Sequence, residues 1–331
     1  MRIRWMVLAL SLWAVAGEAG AQAPGKRVGI IGLDTSHSPA FVKAFNAAEP
    51  APELRGYRVV AAYPYGSRTI ESSYSRIPAY TEEVKGLGVE IVDSIDELLG
   101  KVDVVLLNTN DGRLHLEQAL KVFAAGKPVF IDKPVAASLA DAVAIFAAAE
   151  RHGVPAFTSS TLRYAPDMQA VRNGSIGRVV GADAYSPATL ESTHPDLFWY
   201  GIHGVEILFT VMGTGCETVV RQHSEGTDLV SCRWTDGRIG SLRGLREGRT
   251  RYGGTAFGTE GIEVLEYPGG YNNLTEVIAE FFDTRVAPVS AEETLEIFAF
   301  MEAAEESKRR GGAPVSTAEV MAAARKEAEG R

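Results

Sequence analysis

Cysteine, long apolar runs and clustered basic residues are all scarce in this chain of 331 residues. Its two cysteines, Cys216 and Cys232, can form at most one disulfide bond, and only in an oxidising compartment. The chain has 42 Asp and Glu against 33 Lys and Arg, which gives a net charge of −9. Because it is acidic and has no basic run, nucleic acid and an anionic membrane surface are excluded as partners. The length suits two globular domains.

The N-terminus carries an apolar segment, Trp5–Ala16, which is too short to span a bilayer. It follows Arg2 and Arg4 and precedes the small residues of AGAQAP. This pattern predicts a secretory signal peptide over residues 1–21 rather than an uncleaved anchor. The basic region has no twin arginine, so we expect general export to the periplasm or the medium, with no membrane attachment after cleavage.

Strands and helices alternate from Arg27 to about Phe157. The apolar runs RVGIIGL, YRVVAAYPY, VEIVD, VDVVLLNT, KPVFID and VPAFTS read as strands, and LHLEQALKVFAAG and SLADAVAIFAAAERHG read as helices. Ser94 can cap a helix that begins at Ile95. This order predicts an α/β fold with a Rossmann-like, doubly wound parallel sheet over residues 26–157.

Polar residues follow four of the predicted strands. The carboxyl ends of parallel strands share one edge of a sheet, so these residues should converge on one crevice. A ligand site is therefore predicted there. Its candidates are Asp34, Thr35, Ser36 and His37 after the first strand, Asn108, Thr109, Asn110 and Asp111 after the fourth, Asp132, Lys133 and Pro134 after the fifth, and Ser159, Ser160 and Arg163 after the sixth.

The first strand runs into GLDTSH, where a dinucleotide-binding fold carries the pattern G-x-G-x-x-G. Gly32 matches the first glycine, but Asp34 replaces the second and His37 the third. At an effective dielectric of ~20, a carboxylate this close to two phosphates is repelled by several kcal/mol. Either Asp34 turns away to cap the following helix, leaving Thr35 and Ser36 for the phosphates, or the loop binds a different ligand.

The segment FIDKPVAASLADA resembles the Glu-Lys-Pro motif of the Gfo/Idh/MocA family of sugar and cyclitol dehydrogenases, with Asp132 in place of the glutamate. The resemblance extends along almost the whole chain after the signal peptide. Gly201-Ile202-His203 aligns with the family's Gly-x-His, and PVSAEETLEIFAFMEAAEESKRRGGAPV resembles its last helix. The Lys-Pro motif and the closing helix together make the resemblance specific.

The resemblance implies that residues 158–331 form an α+β domain with an open, mostly antiparallel sheet. Helices would cover one face, and the other would pack against a neighbouring subunit in a homo-oligomer. Strand-like runs agree with this, and hairpin turns are expected at Asp236-Gly237 and Gly269-Gly270.

The two cysteines lie in one expected hairpin, CETVVRQHSEGTDLVSCRW. Pairing about its turn puts Cys216 opposite Thr235 and Cys232 opposite Val219. The cysteines are therefore offset, and the sequence leaves a disulfide bond open.

The resemblance further implies an oxidoreductase that uses NAD or NADP and acts on a hydroxyl of a sugar or cyclitol. Lys133 would hydrogen-bond the reacting hydroxyl, and His203 would exchange its proton. Trp199 and Tyr200 are expected to contact the substrate together with these two. Arg163 would contact the substrate as well, bridge the domains or form a structural ion pair. The expected cofactor residues are Gly32, Asp34, Thr35, Ser36, His37, Asn108, Thr109, Asn110, His115, Asp132 and Lys133.

Two details refine this expectation. Ser67 and Arg68 follow the second strand and could hold a 2′-phosphate, which favours NADP. The family's aspartate four residues before the histidine is Trp199 here, so any help for His203 would come from Glu206 or Asp196.

Two other functions stay open. Transient oxidation of a sugar carbon acidifies the neighbouring C–H and permits elimination with the cofactor recycled, which suits an exported enzyme. A non-catalytic sugar-binding protein is favoured by Asp34 and opposed by the combination of Lys133 and His203. No metal site is expected, because Asp34, His37, His194 and His203 lack a compact ligand spacing.

Overall fold

A computed structural model describes residues 26–331, so the predicted signal peptide lies outside the described residues. The first sheet has the order β3-β2-β1-β4-β5-β6, and all its strand pairs are parallel. This confirms the doubly wound sheet. Its strands are β1 (Arg27–Ile31), β2 (Arg58–Tyr63), β3 (Glu90–Ile91), β4 (Val104–Leu107), β5 (Val129–Ile131) and β6 (Ala156–Phe157).

Eleven α-helices occur within residues 26–331. Ser94 caps α4 by accepting a hydrogen bond from the Glu97 N–H, as expected. The sequence patterns did not indicate α2 and α3. No helix of the described part is long and apolar enough to cross a membrane. The helices are α1 (His37–Phe45), α2 (Glu71–Tyr74), α3 (Ile77–Gly86), α4 (Ile95–Lys101), α5 (His115–Ala124), α6 (Leu139–His152), α7 (Pro166–Arg172), α8 (Ile202–Met212), α9 (Asn272–Thr284), α10 (Ala291–Arg309) and α11 (Thr317–Ala328).

Both faces of the first sheet are covered, which explains why strands β4, β5 and β6 are apolar throughout. Helices α4, α5 and α6 cover one face, and α1 lies on the other. That second face is completed by α9, which comes from the far end of the chain. The ring centroid of Phe281 in α9 lies 4.7 Å from that of Phe157 in β6. The C-terminal part of the chain therefore contributes to the core of the first domain.

The second sheet has the order β12-β11-β7-β10-β9-β8-β13. Only the β7–β10 pair among these strands is parallel, so the expected mostly antiparallel sheet is confirmed. Helices α8 and α10 cover one face. The strands are β7 (Val179–Pro187), β8 (Cys216–His223), β9 (Thr227–Trp234), β10 (Ile239–Leu245), β11 (Gly253–Gly258), β12 (Ile262–Glu266) and β13 (Val315–Ser316).

One of the two expected hairpin turns is correct. Asp236-Gly237 joins β9 to β10, whereas Gly269-Gly270 lies in the segment that leads from β12 into α9. The expectation of a hairpin at Gly269-Gly270 was wrong because the following YNNLTEV segment is helical and packs on the first sheet.

Cys216 and Cys232 form a disulfide bond between β8 and β9, with Cα atoms 5.9 Å apart. The pairing of Cys232 with Val219 is as expected, but Cys216 pairs with Trp234 instead of Thr235. A β-bulge between Cys216 and Thr218 causes the difference, because one extra residue shifts the register. The bulge also puts Cys216 and Val219 on the same buried face, and this brings the two sulfur atoms together.

Candidate functional site

A cleft of about 340 Å³ lies where the carboxyl ends of β1, β4 and β5 meet the start of α8. Its volume is near the lower end of the ~300–1,000 Å³ typical of small-molecule sites. Both domains contribute to its wall. The lining side chains are Thr35, Ser36, His37, Ser72, Arg76, Asn110, Lys133, Thr161, Leu162, Thr189, Trp199, Tyr200, His203, Tyr252, Tyr267 and Tyr271.

Lys133 follows β5 and lines the cleft while being only 8% exposed. Within residues 26–331 its ammonium has no hydrogen-bond acceptor and no carboxylate at salt-bridge distance. The Nζ atom lies 5.8 Å from the centroid of the Tyr200 ring. Burial lowers the pKa of Lys133, and the neighbouring Asp132 opposes this only in part. The amine is thus a hydrogen-bond donor available to a ligand.

His203 lies in the first turn of α8 and reaches the same cleft from the second domain. Its Nδ1 atom is 2.8 Å from the Ser160 hydroxyl, which positions the ring and leaves Nε2 without a hydrogen-bond partner among residues 26–331. Burial, together with the positive charge of Lys133, holds the pKa of His203 well below its usual range. The imidazole is therefore neutral at physiological pH and able to accept a proton.

Asp132 is held by two hydrogen bonds at the end of β5. Its Oδ2 atom lies 2.6 Å from His37 Nδ1, and its Oδ1 accepts a hydrogen bond of 2.8 Å from the Lys133 backbone N–H. Burial alone would raise the pKa of Asp132, but the charges of His37 and Lys133 outweigh it and keep the pKa low. The carboxylate thus orients Lys133 through the backbone.

Asp34 neither caps α1 nor faces the cleft. Its carboxylate is fully buried and accepts hydrogen bonds from the backbone N–H groups of Ser67 at 2.9 Å and Asn110 at 3.0 Å. Gly66 lies against it, since a Cβ atom there would be 2.1 Å from Asp34 Oδ2. The helix-capping prediction was therefore wrong. Asp34 instead joins the loops that follow β1, β2 and β4.

Further hydrogen bonds connect the loops after β2 and β4. The Ser67 hydroxyl donates to Asp111 at 2.9 Å, and Arg113 pairs with the same carboxylate at 2.7 Å. The Asn110 amide donates to the Ser73 hydroxyl in α2 at 2.9 Å. The sequence analysis expected Ser67 to bind a 2′-phosphate. The side chain is instead fully buried in this network, so that expectation was wrong.

Arg163 does not reach the cleft, which corrects its expected role as a substrate ligand. Its guanidinium is buried between Glu206 at 2.8 Å and Glu293 at 2.6 Å. Glu206 therefore pairs with Arg163 and does not orient His203. Asp196 does not either, because its carboxylate pairs with Arg221 on the far side of the second domain.

Several expected cofactor residues lie beneath the cleft rather than on its surface. His115 is fully buried, with Nε2 2.6 Å from the Thr109 carbonyl and Nδ1 3.1 Å from the Val135 carbonyl. Gly32 has a φ of +90°, and a Cβ atom there would lie 2.5 Å from the Thr109 backbone nitrogen. The floor of the crevice is formed by these residues together with Asn108, Asp34 and Asp132. The cleft itself is lined by the other expected cofactor residues, Thr35, Ser36, His37, Asn110 and Lys133.

An aromatic wall faces Lys133 across the cleft. Trp199 and Tyr200 line it as expected, and Tyr252, Tyr267 and Tyr271 join them. The ring of Tyr252 packs edge-on against His203 at a centroid distance of 5.3 Å. No spacing in the sequence connects these three tyrosines with the Lys-Pro motif, so sequence reasoning missed them.

Comparison with known proteins agrees with this architecture. Residues 26–160 match the Gfo/Idh/MocA family model, described as an oxidoreductase family with an NAD-binding Rossmann fold. This N-terminal domain is therefore similar to the Gfo/Idh/MocA oxidoreductases. This agrees with the nicotinamide cofactor expected from the sequence.

A curated relative is the 1,5-anhydro-D-fructose reductase of Ensifer adhaerens, 38% identical over 122 residues. That alignment spans 35% of this chain and 36% of the relative. A probable dehydrogenase from Thermotoga maritima has the same fold, with a TM-score of 0.72 at 18% identity over 89% of this chain and 99% of its own. The scyllo-inositol dehydrogenase of Lactobacillus casei, solved with NAD(H) and scyllo-inositol, gives 0.71 at 15% identity over 88% and 99%.

A nicotinamide dinucleotide fits one half of this crevice better than the other. Thr35 and Ser36 at the start of α1, with Asn110 and Lys133, line the cleft and can hold the nicotinamide end. The adenosine ribose of a Rossmann dinucleotide meets the end of the second strand. Here Asp34 accepts hydrogen bonds from Ser67 in that end and from Asn110 in the β4 loop, so it occupies backbone N–H groups that would otherwise be open to a ligand.

Burial raises the pKa of Asp34 from 3.8 to about 6. Between these values the folded chain binds the proton more tightly than the unfolded chain. The free energy of unfolding therefore falls as pH rises through this window, by about 3 kcal/mol from this group. The measurement is the free energy of unfolding in urea at about pH 4 and at about pH 7, for wild type and for Asp34→Asn. We expect wild type to lose this stability between the two pH values, whereas Asp34→Asn does not.

Asp103→Asn provides a control of opposite sign. Its hydrogen bond with Arg27 lowers the pKa of Asp103, so the wild-type carboxylate stabilises the fold more as pH rises. If the free energies of unfolding of wild type and Asp34→Asn differ by the same amount at both pH values, burial does not raise the pKa of Asp34.

Proposed function

We propose that this chain is an NAD(P)-dependent oxidoreductase that acts on a hydroxyl group of a sugar or cyclitol. One observation carries the proposal. Lys133, a buried amine without a protein partner, and the neutral imidazole of His203 line the same cleft from opposite domains. The family match and the named relatives support the reaction class.

The chemistry of the two residues is complementary. The Lys133 amine donates a hydrogen bond to the reacting oxygen and stabilises negative charge as it develops there. The neutral ring of His203 takes the hydroxyl proton, provided that Nδ1 donates to Ser160 and leaves Nε2 as the base. NAD or NADP, when bound, would supply the hydride acceptor. The aromatic wall excludes water and offers flat faces to the C–H groups of a sugar ring.

Ligand binding without redox turnover is a second candidate, and Asp34 is the observation that favours it. The carboxylate occupies two backbone N–H groups that would otherwise be open to a ligand. Titration calorimetry with NAD and NADP distinguishes the two candidates. Absence of binding to both cofactors would leave only the second candidate.

Lys133→Met should lower kcat by at least about 10²-fold, because the amine no longer stabilises the developing alkoxide. The assay is formation of reduced cofactor over a panel of sugars and cyclitols. Lys121→Met, at an exposed position of α5, is the matched control and should keep wild-type turnover. Equal turnover in Lys133→Met and wild type would contradict the assigned role.

The open face of the second sheet is the surface proposed for a homo-oligomer. Ile239, Ile262 and Val264 are 62%, 68% and 56% exposed on strands β10 and β12. Apolar side chains at this density on one face favour burial against another chain. These three side chains stay exposed although α8 packs against β10 and α7 against β12.

Val264→Asp should convert the wild-type oligomer into a monomer, because it places a charge in the buried interface. Light scattering after size-exclusion chromatography measures the mass of each species. Leu120→Asp makes the same kind of change on α5, where Leu120 is 39% exposed, and should leave the oligomer intact. A wild-type protein that is monomeric at micromolar concentration would rule out this surface as an interface.

Export is proposed from two independent features. Residues 1–21 have the pattern of a signal peptide, and the Cys216–Cys232 disulfide bond fits an oxidising compartment. Protein recovered from the periplasm should lack residues 1–21 and contain no free thiol, by intact mass after alkylation. The same chain produced in the cytoplasm from residue 22 onward is the control and should carry two alkylated cysteines. Retention of Met1 in the exported protein would contradict cleavage.

A further inference from the structure

The cleft has a charge composition unlike that of the rest of the protein. Asp and Glu outnumber Lys and Arg by 42 to 33 in the whole chain, yet none of the sixteen side chains that line the cleft is acidic. Lys133 and Arg76 line it, and both are basic. An acidic protein that surrounds one cleft with cations alone attracts an anion to that place.

Neither cation is neutralised within residues 26–331. Lys133 is 8% exposed and has no hydrogen-bond acceptor there. The exposed guanidinium of Arg76 has no carboxylate at salt-bridge distance in the same range, which leaves its five donors for a ligand. The nearest carboxylates, those of Asp34 and Asp132, are buried and already accept two hydrogen bonds each.

Arg76 reaches the cleft because of how the segment after β2 is held. It lies between α2 and α3, and the Asn110 amide binds Ser73 in α2 at 2.9 Å. This contact places α2 beside the β4 loop, so that Ser72 and Arg76 form the side of the cleft that faces the tyrosines. The hydrogen bond between Asn110 and Ser73 therefore helps to hold Arg76 at the cleft.

The hydrogen-bonding groups of the cleft indicate the same kind of ligand. Lys133, Arg76 and the Trp199 indole can only donate, whereas carboxylates, the strongest acceptors, are absent from the lining. The Ser, Thr and Tyr hydroxyls of the lining both donate and accept, so they serve a neutral polyol as well as an anion, but a neutral polyol has no charge to pair with Arg76. A carboxylate or phosphate presents acceptors alone, and it complements this cleft better.

We propose that the substrate is an anionic polyol, a sugar or cyclitol that bears a carboxylate or phosphate, and that Arg76 binds the anionic group while Lys133 binds the reacting hydroxyl. This deepens the proposed function and rests on it for the reacting hydroxyl. A cofactor pyrophosphate is the other possible source of an oxyanion near Arg76, so the experiment has to separate the two.

The experiment compares matched acidic and neutral ligands by titration calorimetry. The pairs are D-glucuronate with D-glucose, and myo-inositol 1-phosphate with myo-inositol. Wild type should bind the acid of at least one pair about tenfold more tightly, and added salt should weaken this preference. Arg76→Gln should remove the preference. Arg68→Gln, an exposed arginine in the same segment that packs over Tyr65 outside the cleft, is the control and should keep it.

A second arm titrates NAD and ADP-ribose into the same three proteins. Unchanged affinity for both in Arg76→Gln assigns the arginine to the substrate. If Arg76→Gln weakens these ligands and leaves the acid preference intact, the inference is overturned in favour of the cofactor phosphates. Equal binding of acid and neutral ligand in wild type, or no binding of either acid at millimolar concentration, overturns it as well. An acid preference without cofactor binding would refute the proposed redox function alone.

Discussion

The buried carboxylate of Asp34 is the contact on which the arrangement of the crevice depends. Backbone N–H groups at strand ends need acceptors, and in a dinucleotide-binding fold the ligand supplies them. Here Asp34 supplies them to Ser67 and Asn110 from within the chain. The contact requires glycine at position 66, because any Cβ atom there would overlap the carboxylate. Asp34, which stands in place of a motif glycine, thus depends on a second glycine, Gly66, in another loop.

This internal bridge determines what else can reach the cleft. It holds the β2 loop against the β4 loop, and the Asn110–Ser73 contact then places α2 beside Lys133. Negative charge is buried under the crevice, and the cations Arg76 and Lys133 line its surface. The cleft is small and is lined by aromatic rings and by these two basic side chains. Such a site suits a small oxygen-rich ligand, with space beside Lys133 for the reactive end of a cofactor.

Sequence reasoning succeeded for residues whose position follows from topology. Lys133 was expected at the crevice because it follows a parallel strand, and it lines the cleft. His203, which also lines the cleft, was expected there from the resemblance of Gly201-Ile202-His203 to a family motif and not from topology. It failed for Arg163, because a buried guanidinium binds whichever carboxylates the fold brings near, and these come from α8 and α10. It missed Tyr252 and Tyr271, which arrive from loops more than a hundred residues beyond Lys133.

The sequence by itself determined the strands of the first sheet and their order along the chain. Apolar runs that are buried on both faces require a parallel sheet between two layers of helices, and the side-chain cap of Ser94 is a local interaction. Only the tertiary structure decided the partner of Asp34 and the pairing of Cys216 with Cys232. The Asp34 contacts depend on loops that follow different strands of the sheet. The disulfide bond depends on a β-bulge that turns Cys216 to the same face as Val219. Local pattern carries no information about either, because both arise from contacts between distant segments.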